Sequence, residues 1–452
     1  MVSRLLLLAA LLMAWPPASP AQSTMPTEHS ADIAARARAL LSALAGGHFD
    51  VAEHDFTAQV RAALPPERLA DVWHQIITQA GSLKQVDGER IVEQPPFRVV
   101  VLATAFERAE LDVVVAFDTS AQIAGLHFTP HAGAAPSDAA PPPYADTSTF
   151  REEQVTVGNG EWALPGTLSR PTAPGSVPAV VLVHGSGPND RDETIGGSKP
   201  FRDLAWGLAS RGIAVLRYDK RTLVHASALA SLPTLTVQEE TIDDAIAAVS
   251  LLGHTAGIDP NRIVVLGHSL GGMLVPRIGV QDQQIAGFII MAGATRPLQD
   301  LMLEQVAYID SVHGDTSLAA QHRLAELRHQ IARIDALTPG AAPSSTGAIL
   351  GAPASYWLDL RGYHPADVAT HVHRPMLILQ GGRDYQVTAA DYAAWQRTLG
   401  GRSDVQFHLY PSLNHLFIEG TGPSRPEEYA QPGHVAREVV DDIASWIRGL
   451  GR

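Results

Sequence analysis

A serine held between two glycines, Gly267-His268-Ser269-Leu270-Gly271, follows directly on the apolar run 262–266 and precedes a helical pattern that begins at Leu270. A strand, a sharp turn and a helix in that order form a nucleophile elbow, in which the serine stands exposed at the carboxyl edge of a sheet. Glycine on both sides suits such a turn, because a side chain there would clash where the strand backs onto the helix. The same five residues also suit an ordinary turn. The reading therefore depends on what else the chain brings to that edge.

A serine nucleophile needs a base to take its proton, an acid to orient the base, and donors for the oxyanion. In this arrangement the acid and then the base follow the serine in the chain, each just beyond a strand. Asp384 closes Gly381-Gly382-Arg383-Asp384 after the apolar segment 376–380, and His415 closes Pro411-Ser412-Leu413-Asn414-His415 after the segment 406–409. That placement singles out His415 from the 19 histidines of the chain. Asp190, Asp192 and Asp219 are rival acids, but they precede the serine and fit the order poorly. Directly after the strand-like segment 179–183 comes His184-Gly185-Ser186-Gly187-Pro188. Such a loop supplies one oxyanion amide, from Ser186 or its neighbour Gly187, and the residue after the nucleophile, Leu270, supplies the other. The loop lacks the Lys-Ser/Thr ending of a phosphate-binding loop.

The charge-rich loops 190–193 and 218–221 fall at the same edge and read as ion pairs that rigidify the oxyanion loop. Glu239-Glu240 and Asp243-Asp244 open a helix, where carboxylates meet the positive end of its dipole. His371 and His373, like His322 and His329, lack the i, i+4 spacing and the glutamate of a helical zinc site. No metal and no cofactor is expected.

These groups must be carried by a mainly parallel, doubly wound sheet, because strand and helix patterns alternate from residue 149 to the end. Strand patterns fall at 155–157, 164–168, 179–183, 213–217, 262–266, 287–291, 376–380 and 406–409, with amphipathic stretches between most of them. The interval 293–370 has helical spacing but no strand pattern, and is expected to form a cap over the strand ends. Within it Tyr356, Trp357 and Tyr363 offer aromatic surface for substrate, with cap packing as the competing reading. Before this unit, 30–130 shows helical periodicity and then an alternating, β-branched pattern, a small α+β domain. The stretch 131–148 is rich in Pro and Ala without periodicity and reads as a linker.

The chain has 452 residues, 45% hydrophobic and 18% charged, which describes globular domains with large cores. A formal net charge of -14 without a Lys/Arg cluster argues against a nucleic-acid partner. Residues 1–21 carry a basic start, a short apolar run and small residues at the end, the pattern of a secretory signal peptide. The expectation is an exported protein, periplasmic or secreted, with no membrane-spanning segment once the leader is cleaved. There is no cysteine, so disulfides and thiolate chemistry are excluded. Oligomeric state is not legible.

Taken together, His184–Glu193 (HGSGPNDRDE), Arg217–Arg221 (RYDKR), the elbow GHSLGG from Gly267, Gly381–Asp384 and Asn414-His415 resemble the α/β-hydrolase superfamily. More narrowly they resemble EstD-type bacterial serine carboxylesterases, over residues 151 to the end. The region 30–130 resembles a small domain of unknown function, cystatin-like or nuclear-transport-factor-like, found in front of such hydrolases. The resemblance implies a Ser269, Asp384, His415 triad, hydrolysis of a small-molecule ester and no cofactor. The same machinery can cut amides or transfer acyl groups, so an aminopeptidase, an amidase or an acyltransferase stays open. So does a binding protein built on a hydrolase scaffold.

Overall fold

The computed structural model describes residues 27–450, apart from 95, 96, 108, 131–139, 231, 233 and 340–347. The expected signal peptide lies outside the described residues. The chain forms two compact units, Met1–Asp138 and Ala139–Arg452. No described helix is long and apolar enough to cross a membrane.

In the first unit, helices Thr27–Ala45, Phe49–Ala52, Ala58–Ala63 and Pro66–Ala80 precede a meander of β1 (Leu83–Gln94), β2 (Phe97–Phe106), β3 (Glu110–Phe117) and β4 (Ile123–Pro130). The strands pair antiparallel in sequence order. Ile33, Ala37, Leu40, Leu41 and Leu44 share one helix face and pack with the alternate strand residues Val100, Leu102, Val113 and Val115. A 3.6-residue period on the helix thus meets a two-residue period on the sheet.

The second unit contains β5 (Phe150–Val157), β6 (Leu164–Pro171), β7 (Val177–Val183), β8 (Ala214–Tyr218), β9 (Ile258–His268), β10 (Gly287–Met291), β11 (Met376–Gly381) and β12 (Val405–Tyr410). They form an 8-stranded sheet in the order β12-β11-β10-β9-β7-β8-β6-β5. The β5–β6 and β6–β8 pairs are antiparallel and the rest parallel. Parallel strands buried on both faces read as continuous branched runs. Here Val181, Val183, Val265 and Ile290 enter one core, beside helices Asp243–Gly253, Leu270–Gln281 and Ala389–Leu399. Val180, Leu182, Val264, Leu266 and Ile289 enter the other, beside helices Pro200–Ala209 and Arg437–Gly449. The last of these helices turns Val439, Val440, Ile443, Ala444 and Ile447 toward the sheet, an apolar stripe at helical spacing.

From β7 the chain moves to β8 on one side and then crosses to β9 on the other. A reversal of this kind opens a crevice outside the carboxyl ends of the two central strands. Ser269 follows β9 and His184 follows β7, so both expected loops start at that crevice.

Two expectations need correction. The interval 293–370 does not act as one cap. Helices Leu298–His313 and Leu318–Asp335 carry the expected pattern, but helices Ala354–Leu360 and Pro365–Ala369 pack into the main core through Tyr356, Trp357, Leu360, Tyr363, Ala366 and Ala369. The expected linker also ends early. The Tyr144 hydroxyl donates to the Val435 carbonyl at 2.7 Å, and its ring packs on the second core. One aromatic anchor, Tyr144, secures the described end of this stretch.

Candidate active site

Ser269 sits between β9 and the helix Leu270–Gln281 with φ 54° and ψ -114°. Positive φ strains a residue that carries a Cβ, and the surrounding packing must enforce it. The Ser269 N–H donates to the Met291 carbonyl at the end of β10, 3.0 Å away. The flanking glycines make the remaining approach possible. A Cβ on Gly267 would lie 2.3 Å from the Gly271 carbonyl oxygen, and one on Gly271 would lie 2.2 Å from that of Val183. The serine itself is half-buried, within reach of solvent.

Asp384 and His415, on the loops after β11 and β12, meet with Nδ1 of the imidazole 2.7 Å from Oδ2 of the carboxylate. Both are nearly inaccessible, at 6% and 3% exposure. Asp384 Oδ1 accepts from the N–H groups of Gln386 (2.8 Å) and Val387 (3.0 Å), and Oδ2 also accepts from Gln380 Nε2 (3.2 Å). A carboxylate held by this many donors keeps its direction toward the imidazole. With Nδ1 turned to Asp384, His415 has Nε2 left for a substrate-side proton. Among the described residues no hydrogen bond joins the Ser269 hydroxyl to His415. In resting hydrolases such bonds are often long and tighten once substrate is present.

The rival acids are spent elsewhere. Asp219 binds Arg191 at 2.7 Å, Asp192 binds Arg217 at 2.9 Å, and Asp190 accepts from Thr194. The loop of Ser186 and Gly187 reaches the serine through Gly185, where a Cβ would come within 3.2 Å of Ser269 Cβ. The Gly185 N–H is occupied by Glu193 Oε1 at 2.7 Å. Among the described residues the N–H groups of Ser186 and Gly187 bond to no acceptor. Leu270 opens its helix, so its N–H has no intrahelical acceptor either.

Tyr356, Trp357 and Tyr363 lie in the core, not on a substrate surface. Trp357 is 3% exposed, and its indole N–H donates to the Ile349 carbonyl at 2.8 Å. The Tyr363 hydroxyl donates to the Met273 carbonyl at 2.6 Å. Burial, with the Glu240 carboxylate beside it, pushes the Tyr356 hydroxyl well above its ordinary value. All three rings cluster near residue 360, where the sequence alone could not distinguish an inner helix face from a cap surface. A different aromatic cluster flanks the pair. Tyr385 and Leu416, each next in the chain to a member of the pair, cluster with Tyr429, Tyr308 and Ile195. Tyr308, from helix Leu298–His313, stacks on Tyr385 with centroids 4.9 Å apart and planes 5° from parallel. Adjacency to Asp384 and His415 was the available signal for Tyr385 and Leu416.

Charged residues beneath the loops also have more specific partners than the sequence suggested. Glu240 and Asp244 do stand in the first turns of their helices, but they are 6% and 3% exposed and bind Lys220 and Arg221. His268, the middle of the elbow, lies 2.9 Å from Glu193 through Nδ1, and its Nε2 donates to the His415 carbonyl at 3.0 Å. Burial works against charge on this imidazole, but the Glu193 carboxylate outweighs it and raises the pKa above the ordinary 6.5. Burial likewise favours a neutral Glu193, and His268 outweighs it, holding the carboxyl below its ordinary 4.5.

Residues 180–431 match the model of the alpha/beta hydrolase family, and residues 37–126 match that of a protein family of unknown function. Esterase EstD of Thermotoga maritima is 39% identical over 404 residues, covering 89% of this chain and 92% of that protein. The quorum-quenching protein AidA of Acinetobacter baumannii is 26% identical over 191 residues, 42% of this chain and 57% of its own. Among solved structures, Est1E from Butyrivibrio proteoclasticus superposes with a TM-score of 0.42 at 16% identity, covering 65% of this chain and 99% of that one. A family match across more than half of the chain and a relative similar along nearly its whole length converge on the sheet and crevice described above, and the chain belongs to the alpha/beta hydrolase family.

Proposed function

We propose that the protein is a serine carboxylesterase that works through an acyl-enzyme. The observation that carries this reading is the buried Asp384–His415 pair, 2.7 Å apart, set on loops later in the chain than the elbow in the order usual for this fold. His415 Nε2 takes the proton of Ser269 as Oγ bonds to the ester carbonyl carbon. The oxyanion is held by the N–H of Leu270 and that of Ser186 or Gly187. The tetrahedral adduct collapses, the C–O bond to the alcohol breaks, and the alcohol leaves with the proton from His415. Water, deprotonated by the same imidazole, then attacks the acyl carbon, the bond to Ser269 Oγ breaks, and the acid leaves as Oγ regains the proton from His415. The similarity to an esterase along nearly the whole chain supports an ester rather than an amide as substrate. The leader pattern of residues 1–21 supports export to the periplasm or medium.

The test is labelling of the purified protein by a fluorophosphonate, with the modified peptide located by mass spectrometry, beside turnover of p-nitrophenyl esters and aminoacyl p-nitroanilides. Labelling at Ser269 with faster ester than anilide turnover is the expected result. Faster anilide turnover would make it a peptidase, and a protein that neither labels nor turns over either class would be a binding scaffold.

A further inference from the structure

Lys220 follows β8 and is 2% exposed. Its Nζ lies 2.8 Å from Glu240 Oε1 and 2.8 Å from the carbonyl oxygen of Gly185. That carbonyl also accepts from Asn189 Nδ2 at 3.2 Å, while the N–H of the same glycine is held by Glu193. Gly185 is thus gripped at both ends by buried charges, a cation at its oxygen and an anion at its nitrogen, where it lies against Ser269. A neutral donor would suffice to pin a loop. Taking an ammonium out of water is costly and has to be offset by its partners, so the charge calls for a reason beyond anchoring.

The reason lies across one peptide bond. The Gly185–Ser186 peptide is planar, and in the trans form its C=O and N–H point in opposite directions. A cation on the oxygen fixes the plane and draws electron density from the nitrogen, which strengthens the Ser186 N–H as a donor. Among the described residues that N–H has no acceptor. We propose that Lys220 is the positioning residue of the oxyanion site: its ammonium orients and polarises the Gly185–Ser186 peptide, and the Ser186 N–H is the loop's donor to the substrate oxyanion. The proposal rests on the serine-hydrolase reading above. It assigns the donor role to Ser186 over Gly187, and gives the Glu240 carboxylate the task of balancing the ammonium.

The test compares the full-length wild type with Lys220→Met/Glu240→Gln, which removes both charges together, on a p-nitrophenyl ester and its thiono analogue, with Tm alongside. A well-aligned oxyanion site favours C–O⁻ over the larger, weaker acceptor C–S⁻. The variant is expected to lose about 10- to 100-fold in kcat on the oxygen ester, less than outright removal of a donor. KM should stay within about twofold, and the oxygen-to-sulfur preference should shrink. If this variant does not fold, Lys220→Gln, which keeps an uncharged donor, is read in the same way. Unchanged kcat, or a loss of kcat with the oxygen-to-sulfur preference intact, would overturn the proposal. Failure of the wild type itself to turn over ester or to label at Ser269 would instead overturn the reading beneath it.

Discussion

His268 reaches the carbonyl oxygen of His415 through Nε2 at 3.0 Å, joining the middle of the elbow to the backbone of the neighbouring base. Because a carbonyl only accepts, that nitrogen carries a proton, while Nδ1 faces Glu193 at 2.9 Å. Glu193 in turn takes the N–H of Gly185 on the oxyanion loop. Three loops from three strands are thus tied by one buried pair.

The pair makes a pH prediction. His268 has a raised pKa, so its stabilising share is complete below about 6.5 and is lost as pH rises through the higher folded value. Glu193 has a lowered pKa, so its share is present above about 4.5 and is lost as pH falls through the lower folded value. The margin in Tm of wild type over His268→Asn should therefore be widest between about pH 4.5 and 6.5 and narrow toward alkaline pH. Thermal unfolding across that range checks it. A margin that widens with pH would mean that the imidazole is neutral.

His184 predicts the opposite limb. It packs between Phe201 and Tyr218, and burial pushes its pKa down to about 4. A folded histidine kept neutral stabilises fully above about pH 6.5, and that share is lost as pH falls toward about 4. The loss is on the order of 3 kcal/mol. Urea unfolding should show the acid slope, and His184→Asn should flatten it by about one proton.

Ser269→Ala should lower kcat on activated esters by on the order of 10⁴ to 10⁶ with circular dichroism unchanged, since the three groups act as a unit. His415→Ala should cost about as much, and Asp384→Asn less. A Ser269→Ala protein retaining a tenth of wild-type turnover would remove the serine from the mechanism.

Trp357 and Tyr308 should separate packing from recognition. Trp357→Ala empties a core site and should cost about 3 to 5 kcal/mol of stability, leaving the ratio of kcat/KM between short and long acyl esters as it was. Tyr308→Ala, at the stack beside Asp384, should shift that ratio several-fold with a smaller loss of Tm, as altered pocket contacts worth about 1 to 3 kcal/mol would. Steady-state kinetics with thermal melts distinguishes the two.

Gly271→Ala should prevent folding or collapse yield, because its Cβ would come 2.2 Å from a backbone carbonyl that has no rotamer to move away. Soluble expression reports it directly.

Much of the sheet was legible because parallel strands buried on both faces are written as unbroken branched runs; the pattern at 287–291 coincides with β10 in full. The elbow and the loops of Asp384 and His415 were legible for the same reason, since each stands directly after such a run. Residues 354–369 were not. Their helices are short, and an aromatic residue on a short helix has the same pattern whether it faces a core or a ligand. Nor could charge pattern reveal that Glu240 is buried against Lys220, because a carboxylate in a first turn is equally at home in water.

The sequence by itself determined the family, the strand–helix alternation and the chemistry available at the strand ends, since these depend on local period and on order along the chain. Only the tertiary structure decided which charges meet. Glu193 to His268, Lys220 to Gly185 and Tyr308 to Tyr385 are each separated by tens of residues. Their partnership depends on strand order and on loop paths, which no local period encodes.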